Sequence, residues 1–132
     1  MACSFDREEN MNKQVYKILT TSEWTEAKVL GEIETALDRN DGFIHLSTAQ
    51  QLAGTLAFYF KDFDSLILLQ INTQDFKDEI VFEKAVPAGD RFGKFPHLYG
   101  SLKVEKIKNK WEIKRDAFSL PDEIILEAEN NI

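Results

Sequence analysis

One apolar run limits the fold more than any other feature of the 132-residue chain. Between Ser65 and Ile71 the sequence reads Ser-Leu-Ile-Leu-Leu-Gln-Ile and carries no charge. A run of this length predicts a strand that is buried on both faces at the centre of a sheet. It is far shorter than the roughly 20 apolar residues that a membrane helix needs, so no membrane span is expected.

Shorter patterns predict the elements around this strand. Apolar or alternating runs predict further strands at 14–19, 43–46 and 79–85. Capping residues predict one helix after Thr20 that ends near Gly31, and a second after Ser47-Thr48 that ends near Phe60.

The first predicted helix places Trp24, Ala27 and Leu30 on one face. The remaining stretches predict a turn, a loop, a hairpin and a short C-terminal helix, at 40–42, 95–100, 102–114 and 122–128 respectively. A polar, aperiodic leader at 1–12 is expected to be disordered. Together, these strands and helices predict a single α+β domain.

Composition excludes several classes of protein. The formal net charge of -7 argues against nucleic-acid binding by the whole surface, because counterion release needs a basic face. The basic stretch 103–115 is typical of a strand edge kept in solvent by like charge. Cys3 is the single cysteine, which excludes a disulfide within the chain, and no secretory signal is visible. We therefore expect a cytoplasmic protein.

His45 is the first candidate functional residue. If Ile44 and Leu46 point into the core, strand alternation sends His45 to the opposite face together with Phe43. Ser47 and Thr48 follow at the start of a predicted helix, where backbone N–H groups can hold an anion. The alternative is a histidine that bonds a neighbouring carbonyl next to an ordinary helix cap.

His97 is the second candidate, in the aromatic stretch that also contains Tyr99. Arg91, upstream, would add a cation for an anionic ligand. Glu83 differs from the other acids because Phe82 and Ala85 flank it, and a carboxylate at a pocket edge can act as a general base. The alternative for His97 is a packed structural loop, and the alternative for Glu83 is a glutamate that merely faces solvent.

The spacing of histidines and acids matches no metal-binding motif, so no metal is expected. The glycine-rich and nucleophile motifs of common nucleotide-binding proteins and hydrolases do not occur either.

Two motifs resemble those of the domain-of-unknown-function family 952. They are Asp-Gly-Phe-Ile-His-Leu-Ser-Thr at 41–48 and Phe-Pro-His-Leu-Tyr-Gly at 95–100, and the apolar strand lies between them. That family is similar in fold to the ADP-ribosyltransferase superfamily. The resemblance implies two small, mostly antiparallel sheets that form a cleft, with two main helices, in a single domain over 13–116. Residues 117–132 would then be a C-terminal extension.

The same resemblance implies roles for particular residues. The three characteristic positions of the superfamily correspond to Lys17, to His45 with Ser47 and Thr48, and to Glu83. Glu83 and His45 would be catalytic, and a carboxylate near the ribose of NAD would stabilise an oxocarbenium-like state. NAD would be the substrate, and Phe43 or Tyr99 would stack on its nicotinamide.

Four functions remain open at this point. An enzyme that transfers ADP-ribose or cleaves NAD requires these side chains, with His97, Tyr99 and Arg91, to converge on one cleft. A non-catalytic module for a small anionic or nucleotide-like ligand leaves Glu83 outside it. An enzyme that transfers a 2′-phosphate from RNA needs the basic stretch beside the pocket. In a scaffold domain both motifs belong to the core.

Overall fold

The apolar run forms the central strand of the larger of two sheets. The computed structural model describes residues 14–84, 93–114, 124, 126 and 127. The strands and helices, in chain order, are β1 (Gln14–Thr20), α1 (Thr21–Leu30), α2 (Ala36–Asp41), β2 (Ile44–His45), β3 (Ser47–Thr48), α3 (Leu52–Tyr59), β4 (Ser65–Asn72), β5 (Ile80–Lys84), β6 (Lys94–Leu98) and β7 (Asn109–Lys114).

Both sheets are small and antiparallel. The larger has the strand order β3-β1-β4-β7, so β4 is covered on both edges. The smaller has the order β2-β6-β5. The predictions of an α+β class, of two small antiparallel sheets and of a central strand at 66–71 are confirmed.

Two apolar cores lie on the two faces of the larger sheet. One contains Val15 and Leu69 and also includes Ile44 and Leu98 from the smaller sheet. The other lies on the opposite face of the larger sheet, where residues of α3 such as Leu52 pack. Because β4 contributes to both cores, its side chains are buried on both faces, as the uninterrupted apolar run requires.

The helix predictions hold in part. Gly31 ends α1 with φ +81°, a backbone conformation that favours glycine, and this helix end is confirmed. Ala27 on this helix is buried, whereas Leu30 is 67% exposed. The turn predicted at 40–42 is instead the end of a third helix, α2, with Gly42 as its cap at φ +85°.

Ser47 and Thr48 form a short strand beside β1, so the prediction that Ser47 caps a helix is wrong. Thr48 does precede a helical segment, a 3₁₀ turn over Ala49–Gln51 that leads into α3. The backbone N–H of Thr48 donates to Oε1 of Gln51 at 3.0 Å, which is half of a capping box.

Two predictions in the second half of the chain are wrong. The stretch predicted as a loop at 95–100 is mostly strand β6, which lies between β2 and β5. Pro96 lacks an N–H donor and so suggested a loop, but its carbonyl accepts a hydrogen bond from Leu46 N at 3.1 Å. The predicted hairpin does not form either, because β7 pairs with β4 and places Ile113 in the core opposite Leu66.

The leader predicted at 1–12, Arg91 and most of the predicted C-terminal helix lie outside the described residues. In the described part of the chain no helix combines the length and apolarity that crossing a bilayer requires.

The central strand yields a direct stability prediction. Leu68 is fully buried in β4, and Leu68→Ala should lower the free energy of unfolding by about 3 kcal/mol because it leaves a cavity. The control Val29→Ala, at a position 82% exposed on α1, should change it by less than about 0.5 kcal/mol. Urea unfolding measures both, and equal effects would contradict the assignment of β4 as the core strand.

Candidate functional site

The smaller sheet has one apolar face and one polar, aromatic face. Ile44 and Leu98 point into the core between the sheets. His45 lies directly opposite His97 in the ladder, and strand alternation sends both to the other face. The predicted separation of His45 from Ile44 and Leu46 is confirmed, since both apolar neighbours are core residues.

Phe43 joins the two histidines into one aromatic cluster. Its ring stacks on His97 with centroids 4.0 Å apart and an interplanar angle of 25°. It also lies 4.6 Å from the ring of His45 and 5.4 Å from that of Tyr99. The two predicted motifs thus meet through ring contacts between β2 and β6.

Asp38, a residue that the sequence analysis did not single out, lies at the centre of the polar contacts. It is 1% exposed, and its two carboxylate oxygens lie 2.9 Å from the Nζ of Lys17. The Lys17 ammonium also donates to the carbonyl of His45 at 3.0 Å. This buried ion pair ties β1 to α2 and to β2.

The carboxylate of Asp38 also fixes His45. Its Oδ1 accepts from the backbone N–H of His45 at 3.0 Å and lies 2.7 Å from the ring Nδ1. Nε2 of the same ring lies 2.9 Å from Oδ2 of Asp41. Carboxylates only accept hydrogen bonds, so both contacts are made together when both ring nitrogens carry hydrogen. His45 is therefore clamped between two acids of α2.

The capping box of α2 positions Asp38. The N–H of Thr35 donates to Oδ2 of Asp38 at 2.9 Å, and the N–H of Asp38 donates to the Thr35 hydroxyl at 3.1 Å. A threonine followed three residues later by an acid is a signal that the sequence does contain. It could have located both α2 and Asp38.

Burial and pairing act in opposite directions on these charges. Burial alone raises the pKa of Asp38, but hydrogen bonds from His45 and the charge and hydrogen bond of Lys17 outweigh it, so its pKa lies well below the usual range. Burial lowers the pKa of Lys17, although Asp38 opposes that shift.

Glu83 and Tyr99 form a second polar contact on the same side of the smaller sheet. The Tyr99 hydroxyl donates to Oε1 of Glu83 at 2.5 Å, which lowers the pKa of Glu83 and raises that of Tyr99. Nδ1 of His97 lies 3.3 Å from the same oxygen, yet it has no hydrogen-bond partner in the described part of the chain. Burial lowers the pKa of His97, against the effect of Glu83.

A cleft of about 480 Å³ opens beside this network. Its walls come from β1, α1, α2, the β2–β3 segment, α3 and β6. The lining contains both polar and aromatic side chains. The polar ones include Lys17, Asp38, His45, Ser47 and His97, and the aromatic ones include Tyr59, Phe60, Phe63 and Phe95.

The structure brings four of the predicted site residues to this cleft: Lys17, His45, Ser47 and His97. It places the other described ones, Phe43, Thr48, Glu83 and Tyr99, outside the lining. The Ser47 hydroxyl lies 2.9 Å from that of Thr55, which also lines the cleft. The predicted binding and catalytic roles of these residues stay predictions, as does that of Arg91.

Among residues 14–84, 93–114, 124, 126 and 127, no group of three or more histidines, cysteines and acids is placed to hold a metal ion.

The network around Asp38 predicts a large effect of one substitution. Asp38→Asn leaves the Lys17 ammonium buried without its counter-ion, which should lower the free energy of unfolding at pH 7 by about 3–5 kcal/mol. Urea unfolding measures this loss. The double variant Lys17→Met/Asp38→Asn should recover part of it, and a loss equal to the sum of the single losses would contradict the pairing.

Acid should weaken the same pair. The folded-state pKa of Asp38 is below its unfolded value of about 3.9, so the pair stabilises the fold above about pH 4. This stabilisation is lost as the pH falls further. Unfolding free energies measured from pH 6 to pH 3 should therefore fall more steeply for the natural chain than for Asp38→Asn, and parallel curves would contradict the assignment.

Comparisons with known proteins identify the family but not its activity. A family model described as a protein of unknown function, DUF952, matches residues 18–110. No curated protein matches the chain. The crystal structure of protein CC0527 from Caulobacter crescentus is similar at 33% identity, with 85% of this chain and 98% of that one covered and a TM-score of 0.73. Its solution NMR structure gives 35% identity, coverage of 79% and 87%, and a TM-score of 0.68. The chain belongs to the DUF952 family.

Proposed function

We propose that the cleft binds a small molecule that carries a flat ring, of the kind found in nucleotides. The observation that carries this proposal is the lining of the cleft, which combines phenylalanines with hydrogen-bonding side chains. Aromatic side chains receive flat rings by stacking, and a few placed polar groups fix the orientation of a ligand. The cleft volume of about 480 Å³ suits such a molecule.

The family resemblance makes NAD and its fragments the first ligands to try. The motif residues His45 and His97 reach the cleft from two strands of one sheet, as a cleft-forming pair of motifs requires. Two small antiparallel sheets are in keeping with an architecture like that of ADP-ribosyltransferases. These two features support a nucleotide-like ligand over an unrelated one.

Cleavage of NAD or transfer of its ADP-ribose is the second candidate. It needs the carboxylate of Glu83 at the ribose, but this carboxylate accepts a hydrogen bond from Tyr99, and neither residue lines the cleft. One observation favours it all the same: His97, which does line the cleft, lies 3.3 Å from Glu83. Binding without turnover is the function that the geometry supports best.

The other two hypotheses receive less support. Transfer of a 2′-phosphate from RNA needs the basic stretch 103–115 beside the pocket, but its described residues, 103–114, contribute nothing to the cleft lining. A scaffold domain would explain the buried pair of Lys17 and Asp38, but it gives no role to a cleft with an aromatic wall.

The aromatic wall supplies the test. Phe63, 41% exposed, lines the cleft, and Phe63→Ala should weaken the binding of NAD, ADP-ribose or nicotinamide about tenfold, because a stacking partner worth about 1.4 kcal/mol is lost. Isothermal titration calorimetry gives the dissociation constants, and NMR shifts read at His45 and His97 locate the ligand.

Phe58 provides the matched control. It is 59% exposed on α3 and does not line the cleft, so Phe58→Ala should leave ligand affinity unchanged. Flat titrations with all three compounds, or equal losses in the two variants, would contradict the proposal. Release of nicotinamide from NAD that disappears in Glu83→Gln while binding persists would establish the second candidate instead.

A further inference from the structure

Each basic group that lines the cleft already lies next to an acidic side chain. Among the described lining residues the basic groups are Lys17, His45 and His97, and the acidic ones are Glu23 and Asp38. Whether a phosphate or carboxylate can bind there depends on how many donors of the three basic groups remain available. The contacts of each group answer that question.

The ammonium of Lys17 already has an acceptor for each of its N–H donors. An ammonium has three N–H donors, and its Nζ lies within 3.0 Å of three acceptors: both carboxylate oxygens of Asp38 and the carbonyl of His45. Its charge is neutralised by a carboxylate that is itself buried. A ligand anion would have to displace Asp38 from a network that holds two strands and a helix together.

Neither histidine offers an uncommitted cation. Both ring nitrogens of His45 already lie within 2.9 Å of a carboxylate oxygen, one from Asp38 and one from Asp41. His97 is 2% exposed, and burial lowers its pKa, which disfavours the charged ring. A neutral imidazole donates one hydrogen bond but supplies no counter-charge.

Glu23 adds a negative charge to the wall. Its carboxylate accepts from the backbone N–H of Thr20 at 2.9 Å, in the capping box of α1, which keeps it at the cleft. A phosphate that entered would meet this carboxylate without a compensating cation from the described lining residues. Like charges in such a partly buried site repel each other.

We infer that the part of the ligand that enters the cleft is an uncharged or cationic ring, with or without its sugar, and that any phosphate stays outside. This inference rests on the proposed function, because it names the chemical class of the ligand for the same cleft. The inference therefore favours nucleosides and cationic ring compounds as ligands. A cleft with available cations would instead favour ligands that carry phosphate.

Matched pairs of ligands test the inference on the full chain. The probes are adenosine with adenosine 5′-monophosphate, and nicotinamide riboside with its 5′-monophosphate, each titrated by calorimetry at low and at high ionic strength. We expect the unphosphorylated member of each pair to bind as tightly as the phosphorylated one or up to about tenfold more tightly, with the advantage shrinking as salt screens Glu23.

Glu23→Gln keeps the capping box and removes the charge. It should improve binding of the monophosphates about two- to fivefold and leave adenosine unchanged. Glu26→Gln, on the same helix but outside this cleft, is the control and should change neither.

Monophosphates that bind at least tenfold more tightly than their nucleosides, with an affinity that falls as salt rises, would overturn the inference while leaving the proposed function intact. Loss of that preference in Arg91→Gln would then identify the cation responsible. Failure of all four probes to bind would overturn the proposed function and this inference with it.

Discussion

The candidate site depends on the contacts that the Asp38 carboxylate makes. This carboxylate is almost wholly buried, and it accepts hydrogen bonds from Lys17, from His45 and from the backbone of Thr35. Through these partners it joins β1, the start of α2 and β2. A buried carboxylate without such partners would be strongly destabilising, so these contacts stabilise the packing of the three elements. Several polar residues of the cleft lining take part in that packing.

The two sheets differ in what their faces carry. Both faces of the larger sheet carry apolar core residues, with Leu69 on one side of β4 and Leu68 on the other. The smaller sheet buries only one face in the core. Its other face carries the histidines of β2 and β6, and the ring of Phe43 links them. Side chains on a sheet braced from behind are held in place more precisely than side chains on loops.

Local patterns predicted much of the fold. The apolar run gave β4, Gly31 gave the end of α1, and strand alternation placed His45 away from Ile44. Pairings between distant segments were not accessible, since nothing local shows that β7 pairs with β4 instead of forming a hairpin. Strand β6 was misread because Pro96 marks loops more often than strands.

In the candidate site, too, local patterns were predictable and contacts between distant segments were not. The motifs pointed to His45 and His97, which do face each other. The pairing of Asp38 with Lys17 could not be predicted, because the two lie 21 residues apart and no spacing rule connects a strand lysine to a helix acid at that distance. The capping signal at Thr35 locates Asp38 on α2 but not its partner. Sequence reasoning also grouped Glu83 with the cleft, but its contact with Tyr99 depends on the pairing of β5 with β6.

A crystal structure of the protein soaked with adenosine or nicotinamide riboside would show what the cleft binds and how. We expect the ring of the ligand against Phe63 and Phe95, its polar atoms near Ser47 or His97, and an unbroken contact between Lys17 and Asp38. A ligand bound to the Lys17 ammonium in place of Asp38, or bound away from this cleft, would contradict this expectation.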